Sequence, residues 1–535
     1  MDRAQKKTLL ILGLLSIAYF LIFIPPNAAA SKSIEMVTVF EPDEAVPLPY
    51  VFNMIKPAGS FKQVLINFAF YKYYFYGFPY FAYSALLLLP LQWLNRLGDI
   101  SLVMVLLRQM VSVLPILASI WVLVYLQTRF RGYRAVLLFV FLLNIPAVIQ
   151  NNFWWHPDGL AIFFAVLAIF FLDRDNLHFG RFFYLAAVMC GISAGIKGIG
   201  FYFFLTIIVY LLIGYFTKKA TIRHLILSAF GFLACMAGSY LLVNPTLIYT
   251  SVRERYFQVM FDQSQMLSQG YEIVYAKGLL SILPQMVKDY AVPPLLIGVF
   301  GLCIWGVARG PNRLLHTILL TWALPTSFLV CFLIHYKYQY WLPVALPLFS
   351  TIAIILPEKI QIRKTLHSRK ITTWIAVLLV GVLLFQASIN LRDGMMLYSQ
   401  QLHREENDPS IQFYDRVVEV LSPLPQDHGY HVYHDVRLYV PSKQNWNSEA
   451  IFEMLNYNYI QGRNFDILLL SLQRVYDYLD STDVGLDAQS FAAAQTFYRD
   501  ANNGEIRGYR LLYRDDFGLI FIKAALYDQY FSHPN

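Results

Sequence analysis

The chain has 535 residues, of which 57% are hydrophobic and only 14% charged, with a formal net charge of +8. A soluble globular protein is typically about 25% charged, so most of this chain is not built to meet water. The basic residues sit in short clusters between apolar runs, with no stripe to follow a phosphate backbone, which excludes nucleic acid as a partner.

The chain opens on MDRAQKK and an apolar run from Thr8 to Ile24. That run is longer than the core of about 7–15 residues in a secretory signal, so it reads as a retained first helix although NAAAS follows it. With the basic end in the cytoplasm, the next segment lies outside. There VFEPDEAVPLPY (39–50) gathers Glu41, Asp43 and Glu44 among prolines, within a large outer loop over 28–78. Such a cluster is either an ordinary solvated loop or the place where chemistry happens.

Two apolar segments come next, near 79–94 and 102–127. Two full crossings would leave the basic RFRGYR (129–134) outside, against its charge. One of the two is therefore expected to lie along the surface or re-enter, and the first is shorter and interrupted by Pro90. The second carries Arg108 inside its apolar run, where an ionisable group is a functional candidate by default.

From residue 135 onward, apolar runs alternate between basic and other loops. RFRGYR, KKATIR (218–223), RGPNR (309–313) and KIQIRKTLHSRK (359–370) are assigned to the cytoplasm, and DRDNLHFGR (173–181) falls there by alternation. NNFWWHPDG (151–159), a long loop over 244–290 and HYKYQYW (335–341) face outward, as does everything after Leu391. The expected count is about eleven crossings. Residues 1–392 read as a multi-span domain and 393–535 as an extracytoplasmic α/β domain. In the latter, HVYHDVRLYV and FDILLLS are predicted strands, DAQSFAAAQTFYRDANNG a helix capped by Asp487, and YRLLYRDDFGLIFIKA a hairpin turning at 515–518. The four cysteines all fall in apolar runs without metal-ligand spacing and read as small buried hydrophobes.

This order of pieces resembles the GT-C superfamily of integral-membrane glycosyltransferases, which includes protein O-mannosyltransferases and aminoarabinose transferases. The resemblance rests on the outer Asp43–Glu44 pair, YYFYGFPYFAYSALLLLPLQWL, LLRQMVSVLPILASIWVLVYL, HPDGLAIFFAVLAIFFLDR, GISAGIKGIGFYFF and HYKYQYWLPVALPLF. It implies a GT-C-like multi-pass protein of the plasma (inner) membrane that moves a sugar from a polyprenyl-phosphate donor to an acceptor hydroxyl at the outer face. The acceptor is a lipid, a glycan or a protein. It also implies that a carboxylate of the first loop is the catalytic base, Asp43 first and Glu44 as alternate or orienting group.

Asp158, one acid between tryptophans and an apolar run, either orients the acceptor, holds a metal with His156, or caps a helix. An anionic leaving phosphate wants cations. Arg108, Lys197 and Lys337 are the candidates, with snorkelling to headgroups the plainer account of the two lysines. Arg253 and Arg255 are explained by surface charge. His335 and Tyr338, with Tyr336 and Tyr340, either line a sugar site or form an interfacial aromatic belt. No resident cofactor is implied, and a divalent ion is left open. The competing reading is a transporter or flippase for a lipid-linked or small polar substrate, which a charge such as Arg108 within a span would suit. No self-similarity between the halves supports it. A non-catalytic assembly or sensor subunit ranks third.

Overall fold

The computed structural model describes residues 3–269, 277–356, 371–451, 455–480 and 488–532. The basic segment 359–370 and the Asp487 cap lie outside the described residues. Among those described, five helical stretches are long and apolar enough to cross a membrane: Arg3–Ala28, Ile100–Thr128, Ile199–Phe216, Ile222–Val243 and Arg313–Leu333. A sixth is added if Leu279–Asp289 and Pro293–Arg309, bent by 92°, count as one crossing. The bend falls where Pro293 and Pro294 cannot continue the preceding helix. The sequence expectation of about eleven also counts shorter helices such as Gly132–Leu143, and Asp158–Asp175, which is long enough but has charged residues at both ends. Phe78–Trp93 runs through Pro90 as one helix of 16 residues, shorter than a full crossing needs.

The helix holding Arg108 is not uniform. Residues Arg108–Val113 form a π-helical turn that ends with one residue between it and Pro115, whose ring nitrogen has no hydrogen for the ladder. The wider turn delivers the Arg108 side chain into the protein core, where it is fully buried.

Two groups of loops mark the two ends of the helical body. At one, Gln5 donates to the Arg129 carbonyl at 3.2 Å, while Asp173 pairs with Arg129 at 2.9 Å and accepts from Asn312 at 3.1 Å. This joins the N-terminus with the loops expected in the cytoplasm. At the other end of the first helix, Lys32 pairs with Glu405 at 2.6 Å, Ser442 bonds Glu35 at 2.5 Å, and Arg404 pairs with Glu41 at 2.8 Å. The first loop and the C-terminal part therefore meet.

That C-terminal part follows a helix over Ile371–Leu402, so the expected boundary at 392/393 falls inside a helix. It is built on a five-stranded mixed sheet of β1 (Tyr430–His434), β2 (Trp446–Glu449), β3 (Ile467–Ser471), β4 (Tyr509–Arg514) and β5 (Gly518–Lys523), in the order β2-β1-β3-β5-β4. Strand β1 runs parallel to β2 and β3, and β5 is antiparallel to β3 and β4. Helices cover both faces: Leu468, Leu470 and Phe521 pack towards Phe491 and Phe497, and Ile467, Leu469 and Ile520 towards Phe413 and Val417. That is why β3 is a continuous apolar run rather than an alternating one.

Candidate active site

The acidic loop is folded into short helices. Ser33 caps Ile34–Phe40 by accepting from the Met36 amide at 3.3 Å, and Pro42 opens a single turn over Pro42–Ala45. On that turn, adjacent residues point apart, and the two members of the pair part company. Glu44 faces inward and is fully buried, whereas Asp43 is exposed.

Glu44 accepts from Arg108 through both oxygens, Nε to Oε1 at 2.9 Å and Nη2 to Oε2 at 2.5 Å. It also accepts from the Trp155 amide, while Arg108 Nη1 donates to the Asn27 carbonyl at 2.7 Å. Arg108, expected at the donor phosphate, donates instead to Glu44 and Asn27 within the buried core, and Glu44, expected as alternate base or orienting group, has both oxygens on that guanidinium.

Asp43 faces a cavity of about 630 Å³, inside the range of about 300–1,000 Å³ usual for small-molecule sites. Glu41, Asp289, Lys337, Tyr338 and Arg404 line it as well. The first loop, the turn after Arg313–Leu333 and the neck of the C-terminal part thus converge on one space. Asp43 makes no hydrogen bond or ion pair among the described residues. Burial holds the Lys337 ammonium below the usual lysine value, and Asp43 is near enough to work against that. The cavity therefore contains a carboxylate that can accept a proton and, close by, a cation that can meet a phosphate.

Asp158 lies outside this lining. It is 1% exposed, the first residue of Asp158–Asp175, and bonded to Lys197 at 2.7 and 2.8 Å and to His156 Nδ1. The other nitrogen of His156 meets the Tyr76 hydroxyl at 2.8 Å, and its ring stacks on Trp154 at 4.1 Å. Lys197 also sits over the Tyr340 ring at 5.4 Å. His156, expected at the substrate, has both ring nitrogens bonded within the protein, and Asp158 and Lys197, expected as catalytic and phosphate-binding groups, pair with one another. The network braces the wall behind the cavity through Trp154. His335 is likewise fully buried, with its backbone amide and Nδ1 both at the Leu267 carbonyl, at 2.9 and 3.0 Å, and so anchors its loop instead of lining the cavity.

The structure adds Asp289 and Arg404 to the site. Asp289, 1% exposed, accepts from the Tyr336 hydroxyl at 2.9 Å. An acid at the break of an apolar segment, KDYAVPP, is the signal that would have found it. Arg404 sits in LHREEND, which in sequence looks like any solvated charge run. Among the described residues no three His, Cys, Asp or Glu side chains converge as a metal site would require.

Residues 78–334 match the profile of glycosyltransferase family 87. Among solved structures, ArnT from Cupriavidus metallidurans bound to undecaprenyl phosphate is similar with a TM-score of 0.54 and 12% identity, over 98% of this chain and 99% of that one. The same protein in the apo state gives 0.50 and 13%, over all of both chains. The chain carries the GT-C fold. The oligosaccharyltransferase of Archaeoglobus fulgidus in the apo form aligns with a TM-score of 0.49 and 12% identity, over 97% of this chain and 81% of that one. No curated protein matches. The GT-C likeness read in the sequence is thus borne out: a multi-pass membrane protein on a glycosyltransferase scaffold.

Proposed function

We propose that this GT-C protein transfers a sugar from a polyprenyl-phosphate donor to an acceptor hydroxyl, in the cavity where the first loop meets the C-terminal part, at the extracytoplasmic face of the plasma (inner) membrane. The observation that carries the reading is the Asp43 carboxylate, without a hydrogen bond or ion pair among the described residues, in a cavity of ligand size that Lys337 also lines. The ArnT structure similar to this chain holds undecaprenyl phosphate, which supports a donor of that class.

In this mechanism the acceptor hydroxyl oxygen attacks the anomeric carbon. Its proton passes to Asp43, the new carbon–oxygen bond forms, and the bond to the phosphate oxygen breaks with its electron pair leaving on the lipid phosphate. The Lys337 ammonium offsets the charge that grows on that oxygen. Tyr338 lines the same cavity and offers its ring face to a sugar. A single displacement of this kind inverts the anomeric configuration.

The test is transfer of labelled sugar from a polyprenyl phosphate by the purified chain. Asp43→Asn is expected to lower the rate by about 10²–10⁴-fold, the usual contribution of a general base. Transfer that survives this substitution at full rate refutes the assignment.

A further inference from the structure

The cavity wall supplied by the C-terminal neck has a chemistry that the transfer step does not use. Arg404 is tethered at one nitrogen only: Nη1 bonds Glu41 at 2.8 Å, and the guanidinium lies over the Phe40 ring at 4.7 Å. Its Nε and Nη2 are buried and have no acceptor among the described residues. Those two nitrogens form the side edge of the guanidinium, the edge that pairs with two oxygens of one carboxylate or phosphate at once. One helical turn earlier, Gln401 Nε2 is also buried without an acceptor, and so is Trp154 Nε1 of the same lining. The buried unsatisfied atoms of the cavity-lining side chains are thus all donors. Leaving such groups unpaired is costly, and a ligand that only accepts would relieve every one of them.

We infer that Arg404, through its Nε–Nη2 edge and with Gln401 beside it, is an oxyanion subsite for a substrate phosphate or carboxylate at the neck of the C-terminal part. Glu41 holds the guanidinium by Nη1 at the cavity lining, which leaves the Nε–Nη2 edge buried beside that space and reachable by a ligand that displaces the side chains covering it. The inference deepens the transfer reading and rests on it for the role of the bound group, which belongs either to the donor's polyprenyl phosphate or to an anionic lipid headgroup at the acceptor side. Asp43 and Asp289 disfavour an oxyanion at their own walls, and of the two acids nearer Arg404, Glu41 is paired with its Nη1 and Asp408 accepts from the Ser410 amide at 2.8 Å.

The experiment uses the full chain in phosphatidylcholine nanodiscs. Undecaprenyl phosphate, undecaprenol or phosphatidylglycerol is added, and dissociation constants are measured with melting temperature in parallel. Arg404→Lys keeps the positive charge and the Glu41 partner but has no two-nitrogen edge. The expected result is preference of the wild type for undecaprenyl phosphate over undecaprenol, with a loss of about tenfold or more in Arg404→Lys at unchanged melting temperature. A loss confined to phosphatidylglycerol supports the subsite and assigns it to a headgroup. Where Arg404→Lys fails to fold, Gln401→Leu, which leaves the Glu41 pair intact, carries the test with an expected loss of about fivefold. Binding of both phosphate lipids at wild-type strength in the folded variant overturns the inference. Arg404-dependent binding without any sugar transfer by the wild type removes the transfer reading alone. Transfer that depends on Asp43 while binding ignores Arg404 removes the subsite alone.

Discussion

At the residue scale, the two acids of one doublet have opposite duties, and thermodynamics separates them. Glu44 and Arg108 are a fully buried, doubly bonded pair, and removing one partner of such a pair typically costs about 3–5 kcal/mol. Glu44→Gln should therefore lower the melting temperature of the detergent-solubilised protein sharply, while Asp43→Asn leaves it within experimental scatter and removes activity. Equal destabilisation by both would erase the distinction. In sequence the doublet is symmetric, because which neighbour faces the core is decided by how the Pro42 turn docks on Trp155 and Arg108, more than 60 residues away. The place of Lys337 and Tyr338 in the cavity lining was legible, as a polar and an aromatic residue at a turn between apolar runs; that of Arg404 was not, because nothing near it in the chain marks it as buried. His156 makes a second prediction. Burial, reinforced by the Lys197 ammonium, holds its imidazole below the usual histidine value against the pull of Asp158. The unfolded chain, at about 6.5, then takes up the proton first as pH falls. Its contribution to stability is complete above that value and is lost as pH drops towards the folded one. Melting temperatures should decline below about pH 6.5 in the wild type and decline less in His156→Asn.

At the scale of elements, the close packing of the helix ending in Lys197 positions the wall behind the cavity. Gly77 donates its amide to the Ile196 carbonyl at 3.0 Å, and a Cβ at residue 77 would stand 1.6 Å from the Gly195 carbonyl oxygen. Asn244 ties the same junction together, accepting from the Phe78 amide at 3.0 Å. Gly77→Ala is thus expected to destabilise by about 1–3 kcal/mol and to weaken the Lys197–Asp158 contact. Gly238→Ala, where a Cβ would meet nothing within 4 Å, should be neutral or mildly stabilising. Chemical denaturation of the two variants side by side checks this, and equal midpoints would contradict it. Strands β1 and β3 and the β4–β5 hairpin follow from apolar patterning and from the turn at Asp515, whose side chain accepts from the Phe517 and Gly518 amides at 2.8 Å. Strand β2, WNSE, has no such pattern, since it is a short edge held by one neighbour. The π-helical turn at Arg108 was equally invisible, because apolar periodicity does not register one extra residue in a turn.

At the scale of the whole molecule, sugar transfer at the outer face requires that the first loop and the C-terminal part share one compartment and that the basic loops share the other. The contacts Lys32–Glu405, Glu35–Ser442 and Glu41–Arg404 join the first two, and Gln5, Arg129, Asp173 and Asn312 join the second group. The exposed Lys32–Glu405 pair contributes at most about 1 kcal/mol, so the joint depends chiefly on the more buried Arg404 contact. Labelling can read the sidedness directly because the native cysteines are quiet: Cys190, Cys303 and Cys331 are buried and Cys235 is half-buried. In a Cys235→Ser background, single cysteines replace exposed Lys56 in the first loop, Arg416 in the C-terminal part, or Arg131 between Thr128 and Gly132. A membrane-impermeant maleimide added to intact cells should modify Lys56→Cys and Arg416→Cys. Arg131→Cys should react only after the membrane is opened. Reaction of Lys56→Cys and Arg416→Cys from opposite sides would contradict the fold as well as the function, because the contacts between those regions could not then exist. Reaction of both only from the cytoplasm would keep the fold and refute transfer at the outer face.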